Sequence, residues 1–275
     1  MEYVALFIWL SLCLVLGGMI HYAMAGALTH RFVQVLAAPG MVIRKFTMSL
    51  AALACGATVT RVSIYEISSR DIDFTADGVS SVAKAVAPVA PLFGCAAAMV
   101  VLNGAFGDPL RFDYTPPALA SLDTVGLRGF LMGTGRLLSA AVRQVRQVDW
   151  RSPRLYVLFG LMFSLALGAA ASLERIREAL LGAGLLAAAL ALASSIAVQH
   201  GPADLPATAP SWFVAARAAI VSTSVAGFVL MFYGMLAAIV VGMAVRIFEL
   251  VMGTGSGGGK GTTRMPGPGQ KRRAA

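Results

Sequence analysis

Apolar runs of membrane-spanning length recur from one end of this sequence to the other, and a chain patterned in this way has few folds open to it. Where water does not reach the backbone, every N–H and C=O must be satisfied within the chain, so helices or a closed barrel are the only spanning structures. A helix needs about 20 apolar residues to cross a hydrocarbon core of about 30 Å. Runs of this kind cover Tyr3–Leu28, Ser81–Phe106, Leu155–Ser172, Ala179–Val198 and Trp212–Met252, with a shorter one over Met41–Gly56. Charged residues make up 13% of the chain and hydrophobic ones 58%; a soluble domain carries about 25% charge. The sequence predicts an all-α polytopic membrane protein with about five to six transmembrane helices.

The segments between the runs refine this. Met1-Glu2-Tyr3 lacks a positive n-region and the run after it is too long for a secretory h-region, so Tyr3–Leu28 reads as a retained first span. Residues Thr29–Gly40, ending Ala38-Pro39-Gly40, read as a hinge, with the second helix starting at Met41. Arg44 and Lys45 then fall in its first turns, where cations oppose the helix dipole. Thr58–Ile67 has β-strand composition, and Asp71, Asp73 and Asp77-Gly78 read as a polar turn. A strand beside a membrane helix needs a partner for its backbone, so a small membrane-edge sheet or hairpin is expected. Pro88 and Pro91 should break or kink the helix over Ser81–Phe106. Ser164, Gly168 and Ser172 give one helix a small face that lets a neighbour approach closely. The last run is either one long tilted helix or breaks near Tyr233-Gly234. Four regions result: a membrane core over 1–106, an interfacial segment over 107–154, a C-terminal helical bundle over 155–252, and a Gly-rich basic tail over 253–275.

The net charge of +9 sits mostly in the connecting segments and the tail. No nucleic-acid recognition module accompanies it, so the expected partner is an anionic lipid surface, not nucleic acid. Residues 107–154 hold seven Arg against four Asp. On a helical wheel, Leu127, Leu131, Leu138, Ala141, Val145 and Val148 share one face of Leu127–Val148, while Arg128, Arg136, Arg143 and Arg146 gather opposite. That is a basic amphipathic helix, expected to lie in the membrane interface with its arginines on lipid headgroups. Trp150 and Tyr156 beside it read as interfacial anchors. Both this segment and the tail favour the cytoplasm, yet single spans after the segment would put them on opposite sides; a re-entrant or split final helix would reconcile them.

Motifs for chemistry are sparse. His21, His30 and His200 are scattered, and Cys13, Cys55 and Cys95 lack metal-binding spacing, so the cysteines read as small buried hydrophobes. No His-Glu-x-x-His, P-loop or dinucleotide fingerprint occurs. The stretch Pro39-Gly40, three residues, then Arg44-Lys45-Phe46-Thr47-Met48-Ser49-Leu50, followed by Gly56-Ala57-Thr58-Val59 and a Pro-interrupted helix at Val86-Ala87-Pro88, resembles the site-2-protease-like intramembrane zinc metallopeptidases over roughly a third of the chain. The resemblance implies two zinc-binding His and a general-base Glu at these positions. Here they are Arg44, Lys45 and Met48. Arg and Lys are already protonated at neutral pH, and a thioether is a poor zinc ligand. The resemblance therefore implies a degenerate copy that holds no metal or other cofactor. Leu122-Asp123 sits where the family's third ligand is sought, and Asp123 reads as a loop residue.

Three roles are open to Arg44 and Lys45: a salt bridge to Glu66, Asp71 or Asp73, an anion-binding site, or snorkelling to the headgroups, which is the expectation. The functional reading is a non-catalytic integral membrane protein with a binding or scaffold role. The alternative is an anion carrier or channel component using Arg44, Lys45 and Lys84; a third is a metalloprotease with an atypical site. Partners are the anionic bilayer and another membrane protein or a second copy. The Ala and Gly content suggests a bacterial cytoplasmic membrane.

Overall fold

The structure, a computed structural model, describes residues 2–24, 31–62, 72–75, 80–110, 126–148, 150–170, 176–199 and 211–251. In chain order these form α1 (Glu2–Met24), α2 (Arg31–Ala54), β1 (Thr58–Val62), β2 (Ile72–Thr75), α3 (Ser80–Val86), α4 (Ala90–Ala105), α5 (Gly126–Gln147), α6 (Pro153–Ala169), α7 (Ile176–Gln199) and α8 (Ser211–Val251). The protein is mostly helical, and four helices contain stretches long and apolar enough to cross a membrane: Leu6–Met24, Arg31–Ala54, Ile176–Ala193 and Ala218–Val245. This is fewer than the sequence predicts. Pro88 splits the third run into α3 and α4, and the fourth condenses into α6. At 16 and 17 residues, α4 and α6 reach only about 25 Å, short of the hydrocarbon thickness.

Further differences have local causes. The expected hinge before Met41 is helical: α2 runs unbroken from Arg31 to Ala54 with Pro39 inside it. Proline has no N–H to offer the Val35 carbonyl and crowds it. Neighbouring helices can satisfy the backbone groups that a proline frees within a membrane. Here Ser164 of α6 engages the backbone beside the proline, its Oγ accepting the Gly40 N–H at 2.8 Å. β1 and β2 form the expected hairpin, antiparallel with Thr58 opposite Thr75 and Arg61 opposite Asp73. Asp73 is thus a strand residue, not part of a turn. The remainder of the predicted strand, to Ile67, lies outside the described residues, as do Asp71, Asp77, Asp123, His30, His200, Ser172 and the tail. The last run is one continuous helix of 41 residues; Tyr233 and Gly234 are packing positions within it, not a break.

Helix directions follow from the contacts. Trp9 of α1 lies against Ser224 and Phe228 of α8, Ile20 against Gly234, and Ala23 against Gly242. Both numbers rise together, so α1 and α8 run parallel. Likewise Leu36, Gly40 and Arg44 of α2 meet Gly160, Ser164 and Ala170 of α6, so those two are parallel. Gly234 also abuts Ala166 of α6, which brings the middle of α2 level with the end of α1. α2 therefore turns back from α1. The start of α2, the start of α6 and the C-terminal end of α8 share one end of the bundle.

The close approach of α2 and α6 depends on glycine. A methyl group at Gly40 would overlap the Ser164 carbonyl, and one at Gly168 would overlap the Gly40 carbonyl. The small face expected at Ser164 and Gly168 is thus the α2 contact. Leu10, Leu14, Met99, Met162, Leu165, Phe228 and Leu230 fill the core beside it. The opposite side of α2 carries Phe32, Val35, Val42, Phe46, Leu50 and Leu53, all exposed; Phe32 is 77% and Phe46 67% exposed. At 100° per residue they form a single stripe. Comparable side chains, Leu181 and Leu185 on α7 and Ile239 and Val240 on α8, are exposed as well. Contiguous apolar surface on this scale is suited to lipid, not water.

Candidate functional site: the buried cations of α2

The continuity of α2 changes the setting of its two cations. Because the helix begins at Arg31, Arg44 and Lys45 stand near its middle, about 20 Å from its start. The dipole conflict expected for a helix starting at Met41 does not arise. Neither side chain snorkels: Arg44 is 7% exposed and Lys45 3%. They flank the face that holds Gly40, Met41 and Met48, all turned into the protein.

Arg44 Nη1 donates a hydrogen bond to the Ala170 carbonyl at 2.7 Å. Ala170 is the C-cap of α6, with extended backbone angles, and its own N–H still bonds the Ala166 carbonyl at 2.9 Å. The last carbonyls of a helix lack intrahelical partners and carry the negative end of its dipole. In a helix that reaches the surface, water satisfies them. α6 instead ends inside the protein, with Ala170 fully buried, and a carbonyl left unsatisfied away from water costs several kcal/mol. A guanidinium from the neighbouring helix supplies both a donor and a compensating charge. Arg44 is therefore a helix cap delivered from a second helix, held in register by the Gly40–Ser164 bond one turn earlier.

The surroundings are close-packed. Thr47 returns its Oγ1 to the Ile43 and Arg44 carbonyls at 2.8 and 3.0 Å and presses its methyl on Gly94 of α4. The Arg44 charge reaches the buried Cys95 of the same helix as Gly94. Lys45 has a polar or electrostatic interaction of its own. One turn further on, Ser49 Oγ is buried with no hydrogen-bond partner among the described residues.

Of the acidic partners expected for this pair, Asp73 lies opposite Arg61 in the hairpin, and Glu66 and Asp71 fall outside the described residues. Lys84 is exposed on α3, at the level where Ala83 and Ala87 meet Ala52 and Ala57. It does not join Arg44 and Lys45 in a shared enclosure. Met48 is buried. Among the described residues no group of three His, Cys, Asp or Glu gathers as a metal site. Cys13 and Cys95 are buried and Cys55 partly so, as small hydrophobes should be.

The second candidate site, α5, has the expected two faces. Arg128, Arg136, Arg143 and Arg146 are exposed, while Leu137 and Ala141 are buried. The apolar face is not bare, however. It packs on the bundle, where Tyr233 Oη donates to the Ala141 carbonyl at 3.2 Å. The partner surface missing from the sequence reading is α8 of the same chain. Trp150 stacks on Phe159 with ring centroids 5.2 Å apart and donates to the Val145 carbonyl at 3.0 Å. No sequence signal marked Ala170 as a functional position, because its contribution is a backbone carbonyl.

Compared with protein-family models, curated proteins and solved structures, the chain has no match.

Proposed function

We propose that this chain is a non-catalytic integral membrane protein with a binding or scaffold role, built on a degenerate form of the intramembrane metallopeptidase scaffold. The supporting observation is the bond from Arg44 to Ala170. The position at which the resemblance implies a first zinc ligand instead carries a cation that caps a helix. Restoring the family pattern with Arg44→His, Lys45→Glu and Met48→His together would remove that cap as well as two positive charges. The outer surface offers the binding elements: the exposed arginines of α5 for anionic headgroups, and the β1–β2 hairpin, whose edges suit strand addition by an extended peptide from a membrane partner or a second copy. A bacterial cytoplasmic membrane is the proposed location.

Metal analysis of protein purified without chelator tests the reading. Less than about a tenth of an equivalent of zinc is expected, together with no cleavage of membrane-embedded peptide substrates. One tightly held zinc per chain would overturn it.

A second reading, an anion carrier or channel component, draws on one observation: Lys45 and the buried Ser49 hydroxyl lie one turn apart within the span. Chloride and phosphate flux in proteoliposomes distinguishes the two. The carrier reading requires flux that Lys45→Gln abolishes; the scaffold reading expects none from either protein.

A further inference from the structure

The two ends of the bundle differ in charge. α5 is held at the end where α1 stops and α6 begins, by the bond from Tyr233 to Ala141 and by Trp150 stacked on Phe159. Arg128, Arg136, Arg143 and Arg146 are exposed there, together with Arg151 and Arg154 at the start of α6. α8 leaves at the same end, since it parallels α1 and passes Ala23 at Gly242. Beyond Val251 the sequence adds Lys260, Arg264, Lys271, Arg272 and Arg273. The opposite end holds the hairpin, α3 and the start of α7, whose Gly182 abuts the Ala85 carbonyl. The described residues of that end include the cations Arg61, Lys84, Arg177 and Arg217 and the acids Glu2, Asp73 and Glu178.

Lys and Arg in short segments beside membrane helices are retained on the cytoplasmic side, whereas Asp and Glu weigh little. The conflict between α5 and the tail disappears without splitting the last helix, because the contacts put α5 and the C-terminal end of α8, from which the tail continues, at one end. We propose that the α5 end faces the cytoplasm, that the hairpin end faces away from it, and that the arginine-lined end binds the anionic phospholipid headgroups of the cytoplasmic leaflet. Charge complementarity selects the lipid. Trp150 and Tyr156, both exposed beside Arg151 and Arg154, fit the headgroup level, where amphipathic rings concentrate. The lipid part deepens the binding reading above. The orientation requires only that the bundle crosses a bilayer.

Sidedness is tested with single cysteines at two exposed neutral positions, Thr58→Cys in the hairpin and Gln147→Cys at the end of α5, in a chain whose three native cysteines are replaced by Ala. A membrane-impermeant maleimide is applied to sealed right-side-out vesicles. Thr58→Cys is expected to react at once and Gln147→Cys only after permeabilisation. The reverse pattern overturns the orientation, and equal reaction of both positions overturns the two-ended arrangement. Trypsin on the unaltered chain provides a check without substitutions: the bonds between Arg143 and Arg154 should be cut in inverted vesicles and spared in right-side-out ones. The lipid part is read separately in nanodiscs. Phosphatidylglycerol should raise Tm over phosphatidylcholine for the native chain, and replacing Arg143, Arg146, Arg151 and Arg154 by Gln should remove that rise. A rise of the same size in both proteins, or none in the native chain, overturns the lipid contact while leaving the orientation standing.

Discussion

Arg44 reaches the last carbonyl of α6, and that makes its role testable. A charge-assisted hydrogen bond contributes about 1.5–3 kcal/mol, and a buried group left without its partner costs a similar amount. Arg44→Met should therefore lower stability by about 2–3 kcal/mol in a detergent unfolding titration, with Arg44→Lys recovering part of the loss. A Met variant as stable as the native protein would show that the α6 terminus is satisfied in some other way. Two residues set the register of this bond. Ser164→Ala removes the acceptor for the Gly40 N–H and should cost about 1 kcal/mol. Gly168→Val would drive a side chain into the Gly40 backbone and should cost more, about 3 kcal/mol, because overpacking against a backbone has no rotamer escape.

Among the elements, α2 and α5 each have two faces that meet different surroundings. α2 turns its exposed stripe to lipid and its cations inward, so a polar change at Phe46 and one at Met48 should behave differently. Met48→Gln buries an amide in a full core and should destabilise by about 2 kcal/mol in the same titration, a cost that follows from desolvation. α5 is held by its apolar face and by Tyr233. Tyr233→Phe keeps the ring against Phe159 but removes the hydroxyl, so it should loosen α5 by about 1 kcal/mol. Faster backbone hydrogen exchange over residues 126–147, with α6 unchanged, is the expected signature; uniform exchange would mean that packing alone holds the helix.

At the scale of the whole molecule, the stopping points of the helices matter as much as their number. α8 spans 41 residues, about 60 Å, while α6 stops at about 25 Å. One overshoots the hydrocarbon and the other falls short, so the bundle must tilt the first and cap the second. The placement of tryptophans gives a direct readout. Trp9 is buried against Phe228, whereas Trp150 is 41% exposed beside Tyr156. In variants retaining one tryptophan, lipids brominated near the headgroup should quench Trp150 strongly and Trp9 little. Equal quenching would place α5 away from the interface.

Much of this was legible in the residue order. Hydrophobic periodicity and run length depend only on neighbours along the chain, so the helical membrane class, an interruption of the third run by its prolines, the hairpin after α2, the small face at Ser164 and Gly168 and the two faces of α5 could all be read from it. Pro39 could not, because whether a helix carries on through a proline depends on what packs against it, and the group bonded to the adjacent Gly40 N–H, Ser164, lies 124 residues away. The role of Arg44 was hidden for the same reason. Its charge was visible, but its partner is the carbonyl of an alanine, a group every residue possesses. Apart from the stretch around Pro39, local order decided what each described segment becomes. Only the packing of α2 on α6 decided where its cations point, since burial and capping belong to pairs of helices and not to either one alone.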